Sequence, residues 1–263
     1  MSRIVVENLN IIKKTDLGRD NYVIDLAPFS KAGAVKPGRF IHVKIPRTDV
    51  FFRRAFSVYD INPGEKSISI IFKVLGRGTA LLAGLRNGDS LSVLGPLGNG
   101  FNLPSTRETA ILAAGGIGMP PIYLLAKKLL EKRFDKTKLL FFYGGASGAD
   151  LVDIRRIKKL GLKLLPATED GTLGFKGVVT DAIRDKIATA DGKFRIYACG
   201  PEGMLKAVDR LAGELRMPGQ LSLEAPMPCG LGVCLGCIRP LAAGGYTRVC
   251  REGPVYNIGE VLL

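Results

Sequence analysis

The chain has 263 residues, 46% of them hydrophobic, and carries a formal net charge of +14. This composition excludes global disorder and allows two or three domains, each with its own core. Five cysteines are too few for a disulfide scaffold, and the first residues lack the apolar stretch of a secretory signal. We therefore expect a cytoplasmic protein, in which clustered thiols indicate a metal site.

The basic charge is spread along the chain and does not form a tract. The 38 Lys and Arg residues accompany no helix-turn-helix, zinc-finger or RNA-binding motif, so we expect no nucleic-acid binding. A solvated basic surface that attracts anionic nucleotides or an acidic partner subunit explains the charge.

Residues 1 to about 102 contain six short apolar runs separated by turn residues. Such spacing predicts an antiparallel β-barrel, with one short helix near residues 79–85. The predicted strands span residues 3–12, 21–29, 39–46, 55–61, 66–74 and 89–95.

From about residue 107 strands alternate with helices, which predicts a doubly wound parallel sheet. Strands are predicted at 108–115, 138–145, 161–168 and 194–200, and helices at 119–133, 150–160, 178–188 and 201–215. Residues 109–126 are uncharged, but the glycines and prolines in the middle of this run favour strand, turn and helix over a membrane span. The predicted domains are the barrel (1–102), the α/β domain (103–220) and a cysteine-containing region (221–263) with no long periodic segment.

Four cysteines fall within 229-CGLGVCLGCIRPLAAGGYTRVC-250. The C-x4-C-x2-C spacing with a distant fourth cysteine is typical of a plant-type [2Fe–2S] cluster, and intervening glycines let the backbone wrap a compact core. Zinc is the alternative, although zinc sites usually offer two C-x2-C pairs. The predicted ligands are Cys229, Cys234, Cys237 and Cys250.

Two strand–helix corners are candidate nucleotide-binding loops. In 111-ILAAGGIGMPP-121, Gly115, Gly116 and Gly118 can hold a pyrophosphate on backbone N–H groups at a helix start. The second corner, 199-CGP-201, opens on the same carboxyl edge of the sheet. Either corner can also be only a tight turn, and Cys199 is either a core thiol or a group lining a nicotinamide pocket.

The barrel region has its own candidates for phosphate binding. Arg54 and Ser57, three residues apart at the start of a strand, can bind a pyrophosphate, or they are an ordinary surface arginine and a strand serine. The turn 76-GRGTALL-82 is a second candidate. No nucleophile with a partner base is recognisable, and His42, the single histidine, is predicted to be structural. We therefore expect bound cofactors, and no catalytic side chain, to carry the chemistry.

In this order the motifs resemble the ferredoxin–NADP reductase superfamily, which pairs an FAD-binding barrel with an NAD(P)-binding α/β domain. The R-x-x-S flavin motif resembles residues 54–57, G-G-I-G-x-x-P resembles residues 115–121, and C-G-P resembles residues 199–201. Within the superfamily, the chain is similar to the electron-transfer subunits of type B dihydroorotate dehydrogenase. That resemblance rests on 95-GPLGNGF-101, 222-SLEAPMPCGLGVCLGC-237 and 249-VCREGPV-255.

The resemblance implies a set of site residues. Flavin contacts carry over to Arg54, Ala55, Phe56, Ser57, Ile71, Phe72, Lys73, Gly78 and Thr79. Nicotinamide dinucleotide contacts carry over to Gly115, Gly116, Gly118, Cys199, Gly200 and Pro201, and the cluster ligands are the four cysteines. Ala55 replaces a common proline, Lys73 a common arginine, and 224-EAPM-227 departs from the usual sequence of the cluster loop.

The implied function is electron transfer in pyrimidine biosynthesis. An FMN-containing catalytic subunit oxidises dihydroorotate, and its electrons pass through the [2Fe–2S] cluster and FAD of this chain to NAD+, in a heterotetramer with two copies of each subunit. The alternative is a flavin/iron–sulfur subunit of another complex, of the ferredoxin:NADP oxidoreductase or hydrogenase diaphorase type, in which an aspartate or altered spacing is common in the cluster loop. A zinc-stabilised protein without redox chemistry is the rival from another class. The sequence does not decide whether the chain binds NAD or NADP.

Overall fold

The computed structural model describes residues 4–46 and 49–263, and within these ranges the chain has sixteen β-strands and five α-helices. Arg3, the first residue of the first predicted strand, lies outside the described residues. The strands are β1 (Val5–Gly18), β2 (Asn21–Ala27), β3 (Phe40–Val43), β4 (Arg54–Ser57), β5 (Asp60–Asn62), β6 (Ser67–Lys73), β7 (Ser90–Leu97), β8 (Glu108–Gly115), β9 (Leu139–Gly145), β10 (Lys163–Thr168), β11 (Phe175–Lys176), β12 (Lys193–Cys199), β13 (Gly219–Ser222), β14 (Ile238–Pro240), β15 (Tyr246–Arg248) and β16 (Val255–Asn257). The helices are α1 (Arg77–Ala83), α2 (Met119–Glu131), α3 (Ile154–Lys159), α4 (Val179–Ile187) and α5 (Glu202–Glu214).

The first seven strands form one antiparallel sheet in the order β4-β3-β7-β1-β2-β6-β5. Its two edge strands, β4 and β5, follow each other in the chain, so the sheet curls into a barrel that is open along one seam. The predicted strand 55–61 divides there because the backbone changes partner. Val58 N–H donates to the Arg39 carbonyl beside β3, and Tyr59 N–H donates to the Ser69 carbonyl of β6.

The second sheet has the order β11-β10-β9-β8-β12-β13-β16 and is parallel except for β16, which runs antiparallel to β13. Successive residues of its central strands face opposite layers. Leu112 and Phe141 pack with buried residues of α2 and α3, whereas Ile111 and Phe142 pack with those of α4 and α5. Burial on both faces accounts for the near-continuous apolar strands. The predicted combination of an antiparallel barrel and a doubly wound sheet is confirmed.

The strand order reverses at β8. Strands β9 and β10 lie on one side of β8, and β12 and β13 lie on the other. In open α/β sheets ligands bind in the crevice outside the carboxyl ends of the strands at such a point. The two glycine-containing corners, after β8 and after β12, therefore meet at this crevice.

Several elements differ from the predictions in their extent, and β1 continues to Gly18 where the predicted strand ends at residue 12. Helix α3 begins at Ile154, later than predicted, because residues 148–150 form a single 3-10 turn and Asp153 adopts a left-handed φ of 52°. Strand β13 spans the predicted boundary at 220/221, and the domain boundaries stay predictions. In the part of the chain that the structure describes, no helix is long and apolar enough to cross a bilayer.

Candidate functional site

A cleft lies between the barrel and the carboxyl edge of the parallel sheet. It is lined from the barrel side by residues of β4 and β6 and by the start of α1. Seven of the nine predicted flavin contacts line it: Ala55, Phe56, Ser57, Ile71, Phe72, Lys73 and Thr79. Residues far apart in sequence thus share one cleft, which we call the flavin cleft.

The other two predicted flavin contacts, Arg54 and Gly78, touch each other. A Cβ atom at Gly78 would lie 3.1 Å from Arg54 Nε, so the glycine leaves room for the guanidinium against the first turn of α1. Arg54 Nη1 donates to the Phe52 carbonyl oxygen at 2.8 Å. The remaining N–H groups of the guanidinium are of the kind that bind phosphate oxygens in pairs.

The two glycine corners are in direct backbone contact. A Cβ atom at Gly118 would lie 2.6 Å from both the Cys199 carbonyl oxygen and the Gly200 backbone, and one at Gly115 would lie 2.3 Å from Met204 Sδ. Glycine is required at residue 118 because the atoms that a Cβ would meet there belong to the backbone, whereas at residue 115 the flexible Met204 side chain can move aside. The corners therefore form one continuous backbone surface at the switch point.

A second cleft opens on the other side of these corners, and we call it the dinucleotide cleft. Three predicted residues line it: Gly115, Gly116 and Pro201. Asp150 and Glu169 also line it. Glu169 belongs to the polar loop 168-TEDGTLGFKG-177, whose position after a strand predicts contact with a ribose or phosphate, whereas nothing in the sequence singled out Asp150.

Cys199 lies in the flavin cleft, on its α/β side, together with Ser222 and Glu224. The thiol is 2% exposed. Burial, followed by the negative charge of Glu224, raises the pKa of Cys199, and burial also raises the pKa of Glu224. Sequence reasoning missed Glu224 and Met227 as cleft residues, although both belong to the motif 222-SLEAPMPCGLGVCLGC-237.

The four clustered cysteines interact as two pairs. Cys229 pairs with Cys234, and Cys237 pairs with Cys250, whose backbone N–H donates to the Cys237 sulfur at 3.4 Å. Among the described residues, no group of three or more His, Cys, Asp or Glu side chains is placed to hold a single metal ion. One zinc ion needs four ligands around one point, whereas a [2Fe–2S] cluster takes two thiolates at each of two irons. The paired donor set fits a two-iron cluster.

The loop also provides N–H groups for a thiolate. Partial burial raises the pKa of Cys229, but backbone N–H groups, foremost those of Cys234 and Leu231, outweigh burial and lower this pKa to about 6. Burial and the neighbouring Cys237 raise the pKa of Cys250 to about 12. A thiolate that accepts backbone hydrogen bonds is the environment expected of an iron–sulfur ligand.

His42 on β3 is fully buried beside the cysteine loop. Neither ring nitrogen has a hydrogen-bond partner among the described residues. Burial, and then the charge of Arg53, lower the pKa of His42 to about 4, so the ring is neutral near pH 7. An unpaired buried polar group costs about 1–3 kcal/mol, so a purely structural histidine is an incomplete account of this residue.

The chain matches two protein-family models. Residues 224–262 match one described as the iron–sulfur cluster binding domain of dihydroorotate dehydrogenase B, and residues 112–210 match one described as an oxidoreductase NAD-binding domain. Curated relatives named "Dihydroorotate dehydrogenase B (NAD(+)), electron transfer subunit" include proteins of Shouchella clausii and Enterococcus faecalis. The first is 38% identical, with 97% of each chain covered, and the second is 35% identical, with 98% of each chain covered.

Solved structures agree with the fold. A structure from work on flavin-based electron bifurcation by an NADH-dependent reduced ferredoxin–NADP oxidoreductase has a TM-score of 0.83 at 29% identity, covering 97% of this chain and 89% of that one. The cytochrome P450 reductase of Amycolatopsis has a TM-score of 0.65 at 23% identity, covering 81% of this chain and 67% of that one. The second likeness concerns the fold alone.

Proposed function

Because the chain belongs to the family of dihydroorotate dehydrogenase B electron transfer subunits, we propose that it relays electrons from a dihydroorotate-oxidising, FMN-containing partner subunit to NAD+. Its carriers are a [2Fe–2S] cluster at the four cysteines and FAD in the flavin cleft, and the reaction serves pyrimidine biosynthesis. When bound, a flavin exchanges two electrons with a nicotinamide and single electrons with an iron–sulfur cluster.

One observation carries the proposal: the flavin cleft touches both other sites. On one side it includes Ile117 of the first glycine corner, and Gly116, the residue before Ile117, lines the dinucleotide cleft. On the other side it includes Met227, two residues before Cys229. A site for a two-electron acceptor and a site for a one-electron donor are thus adjacent to the same cleft, as an electron relay requires. In this proposal the chain's residues position the carriers.

The carboxylates of the dinucleotide cleft favour NAD over NADP. Asp150 and Glu169 both line this cleft. An acidic side chain can accept hydrogen bonds from ribose hydroxyls, and it repels the 2′-phosphate of NADP. The relatives' name, which contains NAD(+), agrees with this assignment.

Exposed apolar side chains around the cysteine loop support a partner surface at the cluster. Val233 is 79% exposed and Tyr246 is 74% exposed, and Leu231, Leu235 and Ile238 are also exposed. Several exposed large apolar side chains within one short segment are typical of a protein interface. We propose that the FMN-containing subunit binds here in a cytoplasmic heterotetramer with two copies of each subunit.

The test uses full-length chain purified without oxygen, alone and with its native partner. Alone it should contain two irons, two acid-labile sulfides and one FAD, and it should reduce dyes with NADH but not oxidise dihydroorotate. Cys234→Ser and Cys237→Ser should each lose iron and keep FAD, whereas Cys199→Ala, the control, should keep its iron. Wild-type protein without iron and sulfide, or dihydroorotate oxidation by the chain alone, would refute the proposal.

A second candidate is a flavin/iron–sulfur subunit of another complex. The TM-score of 0.83 with the ferredoxin–NADP oxidoreductase structure favours it. The four-cysteine loop and the match of residues 224–262 favour a subunit of dihydroorotate dehydrogenase. Copurification decides, since the native partner should oxidise dihydroorotate and should not reduce ferredoxin.

A further inference from the structure

His42 lies on the same side of the barrel sheet as the flavin cleft. Side chains two residues apart on a strand share a face, and so do directly opposed residues of antiparallel strands. Phe40 precedes His42 by two residues, with ring centroids 5.6 Å apart, and the residue opposite His42 on β4 is Ala55. Phe40 and Ala55 both line the flavin cleft. The imidazole is therefore next to the flavin cleft.

The cysteine loop closes over the other side of the same ring. Gly230 directly follows Cys229 and has a φ of 68°. A Cβ atom at Gly230 would lie 2.6 Å from His42 Cε1 and 2.8 Å from Nδ1. The backbone of the loop therefore rests on the imidazole, directly after the first cysteine.

The ring carries an N–H group for which the described part of the chain supplies no acceptor. His42 has no exposed surface, and both Nδ1 and Nε2 are buried without a hydrogen-bond partner among the described residues. A neutral imidazole has one donor nitrogen and one acceptor nitrogen. Buried polar groups in native proteins are nearly always paired, so an unpaired one in contact with a cofactor loop indicates a partner other than the described residues.

We propose that His42 donates its ring N–H to a sulfur of the [2Fe–2S] cluster and thereby raises the reduction potential of the cluster. This inference rests on the proposed function, because the acceptor is the cluster held by the four cysteines. A donor to sulfur stabilises the reduced, more negative form of a cluster. His42 thus makes the cluster a better electron acceptor beside the flavin.

The first test compares holoprotein variants prepared without oxygen. His42→Leu removes the donor, His42→Gln keeps an amide N–H, and Ile41→Val is the control, since Ile41 is equally buried in β3 and faces the opposite side. Iron and sulfide contents are measured first, and the midpoint potentials of cluster and flavin are then measured by redox titration followed by EPR and absorbance. His42→Leu should lower the reduction equilibrium constant of the cluster at least tenfold, which is about 59 mV for one electron. His42→Gln should shift it less, and Ile41→Val should not shift it.

A second measurement needs no substitution. His42 is the only histidine of the chain, so protein grown with nitrogen-15 histidine is labelled at this residue alone. Pulsed EPR of the reduced cluster should detect coupling to nitrogen-15 in wild-type protein. This result stays informative if His42→Leu fails to fold or loads no cluster.

Three outcomes separate the hypotheses. A loaded His42→Leu protein with the wild-type cluster potential, or the absence of nitrogen-15 coupling, overturns the role of His42 and leaves the proposed function intact. A shift of the flavin potential alone also overturns it and assigns the donor to the flavin. Wild-type protein without iron and sulfide refutes the proposed function itself.

Discussion

Arg54 shows how a single side chain links two separate turns of the barrel. Its guanidinium packs on Gly78, and its Nη1 donates to the Phe52 carbonyl oxygen. These contacts hold the side chain beside the flavin cleft and leave other guanidinium N–H groups able to donate to a ligand. Because a side chain at residue 78 would press on the guanidinium, the predicted motif depends on glycine in α1 as well as on the arginine.

We predict that Arg54→Ala weakens FAD binding. Losing hydrogen bonds to a charged group costs about 1.5–3 kcal/mol, which is roughly a ten- to hundred-fold rise in the Kd for FAD. Arg54→Lys should recover only part of the loss, since an ammonium lacks the paired donors. Flavin fluorescence of protein reconstituted with FAD measures the Kd. Arg107→Ala, which removes an exposed arginine outside the cleft lining, serves as the control, and equal affinities for all three variants would contradict the role.

At the scale of elements, the decisive feature is the contact between the two strand–helix corners. Strands β8 and β12 are parallel neighbours, with Ala114 beside Cys199. Their following turns leave the sheet side by side and then start α2 and α5. Glycine at residue 118 lets the two turns touch, so the sheet geometry and the glycine together form the surface that separates the two clefts.

Gly118→Ala should separate these turns. The φ of Gly118 is −74°, so backbone strain is absent and the effect is steric, because the new Cβ would meet the backbone of Gly200. Overpacking of this kind costs about 1–3 kcal/mol of the free energy of unfolding. We also expect NADH–dye reduction to fall at least tenfold while FAD content persists.

Gly213→Ala is the matched control for this substitution. Gly213 lies in α5 with no atom within 4 Å of the added Cβ, so alanine should leave the activity unchanged and stabilise the helix by about 0.5–1 kcal/mol. Urea unfolding and steady-state kinetics of both variants provide the comparison. Equal activities would exclude the proposed steric role of Gly118.

At the scale of the whole molecule, one polar cluster joins the barrel to the α/β domain. Asp60 of β5 pairs with Lys127 of α2, where the Asp60 Oδ1 and Lys127 Nζ atoms are 2.5 Å apart, and also with Arg156 of α3. The neighbouring Tyr59 hydroxyl donates to Asp153 Oδ2 at 2.9 Å. Because the Asp60 side chain is only 12% exposed, these bonds restrain the spacing of the flavin and dinucleotide clefts.

We predict that Asp60→Asn destabilises the protein and slows reduction of its flavin by NADH. Breaking a fully buried ion pair costs about 3–5 kcal/mol, and the partial exposure of Lys127 and Arg156 reduces the expected loss to about 1–3 kcal/mol. Urea unfolding measures the first effect, and stopped-flow absorbance measures the second. Glu131→Gln breaks the surface pair with Lys128 on the same helix and should cost at most about 0.5 kcal/mol. If the two variants behave alike, the cluster does not connect the domains as proposed.

Much of this organisation is encoded locally. Short apolar runs separated by turn residues, and the alternation of strands with helices, report burial within one element, and they predicted the two confirmed sheets. The spacing of Cys229, Cys234 and Cys237 and the sequence around Arg54 are equally local, so a cofactor type could be inferred from each. The division of residues 55–61 into two strands was not predictable, because it depends on a change of partner strand.

The sequence by itself determined which cofactors the chain is expected to bind. It also determined the order of the elements that hold them. Only the tertiary structure decided that Cys199 lies in the flavin cleft, that Glu169 and Asp150 share the dinucleotide cleft, and that Gly230 rests on His42. Each of these contacts joins residues that are distant in the chain or on different elements, and the packing of the two sheets, with their connecting turns, sets the distance between them. The spacing of residues along the chain does not predict that distance. The role proposed for His42 could therefore be inferred only from the contact between the barrel and the cysteine loop.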